Sequence, residues 1–519
     1  MSKLLKASGA IAVATLTSRV LGMVREMVYM SFMGVGLVND AFQLAFTIPN
    51  LFRRLLGEGA LTAAFIPIFK DKEKNHGETE MWRAANAVIS GLLVSASVIV
   101  GVVMLGISIA LGVHQFDEKT ELMLQLLRIM FPYMLLVCLT AALMGMLNSR
   151  GHFFVPALGA ALLNVVMIAS VLWLTPCFGH ERSQQIFALA VGVLAAGVAQ
   201  AAFQMPTLWR DGFRYRWVTP WRDETVRRVV RQMIPGTIGV AAFQINVTMV
   251  QGAAFMIGTG LVSSYNGAVR LMELPQGMFG VSLATYMLPT LSGLAAEKKF
   301  PEFRATLSAG LATLIFLNLI AATLLFVLAE PIVRLLYQHG AFTPENTRHV
   351  SFALACLVPG LVAFSTANIL ARAFYALGDT KTPMQISIFC LLVNFPLSCW
   401  LMLPLREGGP GIANTATSAI NVLLLVLALR KKLGKLEMQE LRLTLVPLVL
   451  TAVTAGLIAW FGWRGWEKYV GHATIPLRIG AVFVPAGIAG TFYILTALKL
   501  KIPAAHELLA FAGKRFKKT

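Results

Sequence analysis

Apolar residues run through this chain in long stretches, separated by short breaks rich in charge, glycine and proline. A helix needs about 20 mostly apolar residues to cross the hydrocarbon core of a bilayer. Stretches of that kind predict helices near 8–33, 38–67, 82–112, 122–148, 153–174 and 186–208. A second set is predicted near 228–256, 263–293, 305–328, 350–376, 383–403 and 411–429, with two more near 443–463 and 478–498. Stretches well beyond 25 residues imply tilt or extension past the membrane. The expected fold class is therefore all-α, a polytopic membrane protein of about 14 transmembrane helices.

Composition sharpens this picture. Of 519 residues, 57% are hydrophobic and 13% charged, whereas soluble domains carry roughly a quarter charged residues. Water-soluble globular domains are excluded. The net charge of +19 needs no nucleic acid, because Lys and Arg are retained in cytoplasmic loops of membrane proteins. The 44 basic residues test the helix count. The N-terminus, the breaks after even-numbered helices and the C-terminal tail hold 29 of them. Breaks after odd-numbered helices hold 8, and 7 fall inside or at the ends of helices. The expected location is the bacterial inner membrane, multi-pass, with both termini cytoplasmic. The densest basic break, Trp209 to Arg231, mixes Trp with Arg. That mixture suits an interfacial element on anionic headgroups, and equally plain retention charge.

Proline spacing reveals a repeat. Pro132 and Pro359 lie 227 residues apart, as do Pro156 and Pro383; Pro49 and Pro275 are 226 apart, Pro67 and Pro289 222. FVPALGAALLN at 154–164 resembles KTPMQISIFCLLVN at 381–394. Duplication predicts two six-helix lobes that enter the membrane in the same direction, with a substrate site between them. The expected divisions are an N-lobe at 1–209, a basic interlobe linker at 210–227, a C-lobe at 228–432, and helices 13–14 with a basic tail at 433–519.

Seven basic residues stand where lipid chemistry disfavours them. A charge at a helix centre costs about 2.5–3.5 kcal/mol on insertion scales, so it normally faces a cavity and marks function. Helix 1 carries Ser18, Arg19, Arg25 and Glu26; helical spacing puts Ser18, Gly22 and Arg25 on one stripe and Arg19, Met23 and Glu26 on the next. On helix 2, Asp40, Gln43, Thr47, Asn50 and Arg54 share a face, but Pro49 kinks the segment, so geometry does not choose between Arg53 and Arg54. On helix 8, Ser263, Asn266, Arg270, Glu273 and Gly277 align beside Pro275. Arginines that outnumber nearby acids point to an anionic substrate, a phosphate or diphosphate, since guanidinium binds phosphate bidentately. Arg128 and Arg372, near helix ends, read as snorkelling anchors.

Catalytic and metal signals are missing from the sequence. It has no Walker A, GxSxG or HExxH motif. Its five cysteines form no CxxC and have no His at ligand spacing, so they read as small hydrophobes. The first apolar stretch contains arginines and lacks a small-residue cleavage site, which predicts a retained helix. No covalent cofactor is expected, and no metal ligands are assigned.

The stretch TSRVLGMVREMVYMSFMGVGLVNDAFQLAFTIPNLFRRLLGEGALTAAFIPIF, residues 17–69, together with RLMELPQGMFGVSLATYMLPTLS, residues 270–292, strongly resembles the MurJ (MviN) family of lipid II flippases. That family belongs to the MOP exporter superfamily. The resemblance implies 14 helices, two six-helix lobes and a cationic central cavity open to each side in turn. It implies transport of the undecaprenyl-diphosphate-linked peptidoglycan precursor, lipid II, from the inner to the outer leaflet. Family cavity residues match Arg19, Arg25, Asp40, Arg53 and Arg270, which favours Arg53 over Arg54. The resemblance also implies a lipid-tail groove on helices 13 and 14. Two departures make this chain more positive: Glu26 stands where the family commonly has Asp, and Val269 where it commonly has Asp before the helix-8 arginine.

The leading expectation is thus a lipid II flippase and not an enzyme. Arg19, Arg25, Arg53 and Arg270 would bind the diphosphate, with Ser18, Asn50, Ser263 and Glu273 lining the site. Asp40 and Glu26 would pair with arginines when the site is empty. Coupling to Na+ or to the membrane potential stays open. Besides lipid II, the expected partners are membrane lipids and cell-wall synthesis or division proteins. The alternatives are an exporter of another polyprenyl-linked glycan, a multidrug antiporter of the same superfamily, a non-transporting cell-wall scaffold, and, weakest, a membrane glycosyltransferase.

Overall fold

The computed structural model describes the backbone over residues 2–52, 54–55, 61–434 and 439–506. Side chains are described there except at 2–16, 61–63, 235–240, 281 and 439–442. Among the described residues there are helices and no strands. The elements are α1 (Ser2–Met33), α2 (Leu37–Phe52), α3 (Leu61–Val113), α4 (Glu118–Met130), α5 (Tyr133–Ser149) and α6 (Phe154–Ala169). They continue with α7 (Arg182–Arg210), α8 (Glu224–Ile257), α9 (Leu261–Pro275), α10 (Ser282–Ala296), α11 (Phe300–Val327) and α12 (Ala329–Tyr337). The last six are α13 (Pro344–Leu357), α14 (Gly360–Ala376), α15 (Lys381–Leu405), α16 (Gly409–Leu433), α17 (Gln439–Tyr469) and α18 (Ile475–Lys499).

Each apolar stretch becomes helix, but several are broken. Among the described residues, eight helical segments are long and apolar enough to span a membrane, and ten if each bent pair counts as one span. The chain is a multi-pass membrane protein. The bent pairs are α4 with α5, at 40°, and α13 with α14, at 44°. Pro132 and Pro359 sit at those two breaks, because proline cannot donate into the ladder and clashes with the preceding turn. The other proline pairs also occupy matching places. Pro156 and Pro383 are each the third residue of their helix, α6 and α15. Pro49 and Pro275 each precede a π-helical turn, at 54–55 and at Gln276–Val281. Of the four proline pairs, one thus marks helix breaks, one precedes π-helical turns, one marks helix starts, and Pro67 and Pro289 lie inside α3 and α10. Within α3, Gly77 at φ +83° kinks the helix in the middle of its polar stretch, a conformation that side chains rarely tolerate.

The chain forms two compact units, Met1–Ser263 and Ser264–Thr519. The division falls after α8, one helix later than the basic linker, because α8 packs on α2 and α3. The first unit is built around Phe65, Phe69, Met81, Leu143, Met146 and Phe213 from α3, α5 and the segment after α7. Rings run in sequence from Phe65 through Phe69 and Trp82 to Phe213, with centroids 5.2–5.5 Å apart. In the second unit α10, α11, α14 and α16 share a core including Leu291, Phe303, Leu314 and Phe374. The two helices outside the repeat, α17 and α18, pack on α11 through Ala452, Ala455, Ala459, Ala489 and Ala497. Small residues let membrane helices approach closely. The Tyr493 hydroxyl donates to the Phe316 carbonyl at 2.9 Å.

Two places in the second unit yield tests. The backbone of Gly409 lies so near α15 that a Cβ there would sit 2.5 Å from the Met402 nitrogen. Gly409→Ala is expected to destabilise by about 1–3 kcal/mol, as overpacking does, whereas Gly465→Ala, which meets nothing within 4 Å, is neutral; thermal melts in detergent compare them. In the turn before α15, Lys432 donates to Asp379 at 2.8 Å, and the Thr382 amide and hydroxyl donate at 3.0 and 2.8 Å. The Lys432 bond first, then Thr382, holds the Asp379 carboxyl well below the usual carboxylate range. Its stabilisation is complete above the ordinary aspartate value of about 3.9. It is lost as pH falls through the lower folded-state value. The melting-point gap between wild type and Asp379→Asn is therefore expected to hold at neutral pH and to close progressively below about pH 4.

Candidate functional site

Helix α1 supplies the first charges. Arg25 and Glu26 are buried, and the Arg25 guanidinium lies 3.8 Å from Glu26, too far for a hydrogen bond. The guanidinium also stands over Tyr29, 5.4 Å from the ring centroid, and Tyr29 meets Phe42 of α2 edge to face at 5.7 Å. Arg25 Nε is buried with no hydrogen-bond partner among the described residues. Arg19, on the neighbouring stripe, is exposed, and Ser18 is half-buried. The Ser18 carbonyl accepts from Asn164 Nδ2 at 3.1 Å. The close neighbour admitted by Gly22 is this same Asn164 side chain of α6.

Asp40 lies elsewhere than its expected arginine partners. It is fully buried on α2, and its carboxylate accepts from the Gly260 amide at 2.6 Å, the Ser263 amide at 2.8 Å and the Ser263 hydroxyl at 2.7 Å. It thereby caps the open amides at the start of α9 from another helix. Its cationic partner is Lys119, at 3.5 Å. Lys119 Nζ in turn donates to the carbonyls of Phe255 at 2.7 Å and Gly258 at 2.9 Å, closing the C-terminus of α8. One buried ion pair thus satisfies both helix ends at the α8–α9 turn. Gly260 in that turn has φ +83°, and a Cβ there would meet Val35 at 2.9 Å. Asp40 thus pairs with a lysine, while Glu26 lies beside an arginine.

Further along α2, Thr47 donates to Gln251 at 2.8 Å and Arg54 to Gln244 at 3.4 Å. Thr47 and Arg54 are seven apart, as are Gln251 and Gln244 of α8, two helical turns, so the antiparallel segments form a polar seam. Asn50 lies between them on α2, half-buried. Arg53 lies outside the described residues. In the second unit Arg270 donates to Glu273 at 2.9 Å, and both side chains are about two-fifths exposed. Ser263, aligned with Arg270 by helical spacing, is fully buried on Asp40.

The sequence reading missed Lys119, Gln244 and Gln251. Lys119 looks like a loop charge because Asp117, Glu118 and Glu121 surround it. The glutamines carried a readable signal, the seven-residue spacing that mirrors Thr47 and Arg54. Among the described residues, no group of three His, Cys, Asp or Glu could hold a metal ion.

Removing Asp40 strands a buried lysine and two helix-end groups. Breaking a buried pair costs about 3–5 kcal/mol, so Asp40→Ala is expected to melt far below wild type. Adding Lys119→Met should recover part of the loss, and detergent melts of the single and double variants measure the difference.

Comparison with known proteins follows the same lines. The family described as "Lipid II flippase MurJ" matches residues 29–478. The chain is 35% identical over 428 residues to a lipid II flippase MurJ of Burkholderia cenocepacia, covering 80% of this chain and 82% of that protein. It is 33% identical to a probable lipid II flippase MurJ of Vibrio cholerae, covering 82% of each. The fold is similar to a solved lipid II flippase MurJ in an inward closed conformation, with TM-score 0.76 and 22% identity, over 94% of this chain and 99% of that one. It is also similar to a multidrug resistance MATE family transporter of the MOP superfamily, with TM-score 0.62 and 15% identity, over 82% and 100%. By sequence match over most of its length, this chain belongs to the MurJ family of lipid II flippases.

Proposed function

We propose that this protein moves lipid II, the undecaprenyl-diphosphate-linked peptidoglycan precursor, from the inner to the outer leaflet by alternating access. Arg19, Arg25, Arg53 and Arg270 bind the diphosphate, and no covalent bond is made or broken. The observation that carries the reading is Arg25. It is buried in a membrane helix, the Glu26 carboxylate stands beyond hydrogen-bond distance, and its Nε has no hydrogen-bond partner among the described residues. A guanidinium in that state gains strongly from an oxyanion that brings its own acceptors. Arg270, bonded to a half-exposed Glu273, can exchange that carboxylate for a phosphate at little cost, since exposed pairs contribute only about 0–1 kcal/mol. Ser18 and Asn50 supply neutral polar contacts. The direction of transport is set by a sodium gradient or by the membrane potential, which a cationic site senses directly.

The fold shared with MATE transporters makes a multidrug antiporter the second reading. Cationic drugs need acidic sites, whereas the charges singled out in the apolar helices of this chain are mostly arginines. In a strain depleted of its own flippase, Arg25→Ala, Arg53→Ala and Arg270→Ala are each expected to lose complementation at normal protein levels. Lipid-linked precursor should accumulate in the inner leaflet. Full complementation by all three would sink the diphosphate assignment, and normal precursor levels on depletion would favour the antiporter. The charge distribution places both termini on the cytoplasmic side. Reporter fusions at Lys72 and Trp217 are accordingly expected to read as cytoplasmic, and fusions at Glu345 and His472 as external.

A further inference from the structure

The segment joining α7 to α8 is basic and aromatic, and diphosphate binding leaves it unused. It is not a loose loop. Phe213 is buried against Trp82 of α3, with centroids 5.5 Å apart. Asn86 Nδ2 donates to the Arg214 carbonyl at 3.1 Å. Ser90 meets the Tyr215 hydroxyl at 3.2 Å and receives the Val218 amide at 3.4 Å. Pro220 lies against Gly91. The segment therefore follows α3 from Trp82 to Gly91, nine residues or about 13 Å along the helix axis. The apolar run of α3 begins at Ala84, so the strap lies where that helix enters the membrane.

Its outward side chains have two chemistries. Trp217 and Trp221 are 59% and 68% exposed, large for side chains that contribute nothing to the core. The acids are already engaged: Asp211 with His152 at 3.1 Å, and Asp223 with the Thr225 amide at 2.8 Å at the start of α8. Arg216 and Arg222 are exposed and make no ion pair among the described residues. Tryptophan favours the headgroup layer, and guanidinium binds phosphate in a fork that lysine lacks.

We propose that residues 213–222 form a strap that binds anionic phospholipid headgroups, with Arg216 and Arg222 on the phosphates and Trp217 and Trp221 in the headgroup layer. A soluble acidic partner fits less well. The lower flank of α3 beside the strap exposes Val98, Ile99 and Val102, a surface for acyl chains.

The test uses the delipidated full-length protein in neutral detergent, titrated with phosphatidylglycerol or with phosphatidylcholine of the same chains, bound lipid being counted by native mass spectrometry. Wild type is expected to prefer phosphatidylglycerol, with a preference that falls as salt rises. Each arginine removed should weaken that lipid about fivefold, so Arg216→Gln with Arg222→Gln loses about 25-fold. Trp217→Ala with Trp221→Ala should weaken both lipids alike. Lys298→Gln with Lys299→Gln, the same charge change elsewhere, leaves binding unaltered. Glycerol 3-phosphate should not compete. Phosphatidylglycerol binding within twofold of wild type in the arginine variant overturns the proposal, as does a wild-type preference insensitive to salt. Competition by glycerol 3-phosphate overturns the lipid source in favour of a soluble anion.

Discussion

A polar group inside hydrocarbon must be bonded within the protein, because no water is there to take it. Continuous helices meet that demand by themselves, so every long apolar stretch here is helical. The demand becomes acute where helices stop. At the α8–α9 turn, the Phe255 and Gly258 carbonyls and the Gly260 and Ser263 amides all need partners. Lys119 and Asp40 supply them and neutralise one another. The pair is thus explained by backbone satisfaction, and its position ties α2 and α4 to a turn more than a hundred residues further along the chain.

Prolines act on the same constraint from the other side. At Pro132 and Pro359 the helix responds to the missing donor by bending, and after Pro275 it opens a π-helical turn. The bends at Pro132 and Pro359 are nearly equal, 40° and 44°, as two missing donors at like places in two bent spans would give. Pro49 and Pro275 carry this into the charged helices, each preceding a π-helical turn.

The basic residues divide by the same physics. Most lie in the breaks between apolar helices, where water and headgroups solvate them at little cost. Those of the α7–α8 strap are held at the membrane boundary by α3. A few stand in apolar helices, and there the local partner decides the role. Lys119 is consumed by structure, Arg54 is shared with Gln244 in a polar seam, and Arg25 keeps unsatisfied capacity. Charge alone does not distinguish these cases.

The amino-acid sequence by itself determined the helical class and the approximate helix positions, and it displayed the paired proline spacing and the basic residues inside apolar runs. These properties are local or periodic: apolar run length, charge per break and proline spacing are written along one dimension. The sequence also marked Arg25 and Glu26 as neighbours, because adjacent residues on one helix cannot be far apart. Only tertiary structure decided which acid meets which base. Asp40 faces a lysine that reads as a loop charge, and its other partners lie some 220 residues away. Likewise the strap reads as a linker until Asn86 and Ser90 are seen to pin it. The physical reason is that hydrogen bonding and desolvation depend on distance in space, and helix packing brings together residues whose order along the chain carries no trace of it.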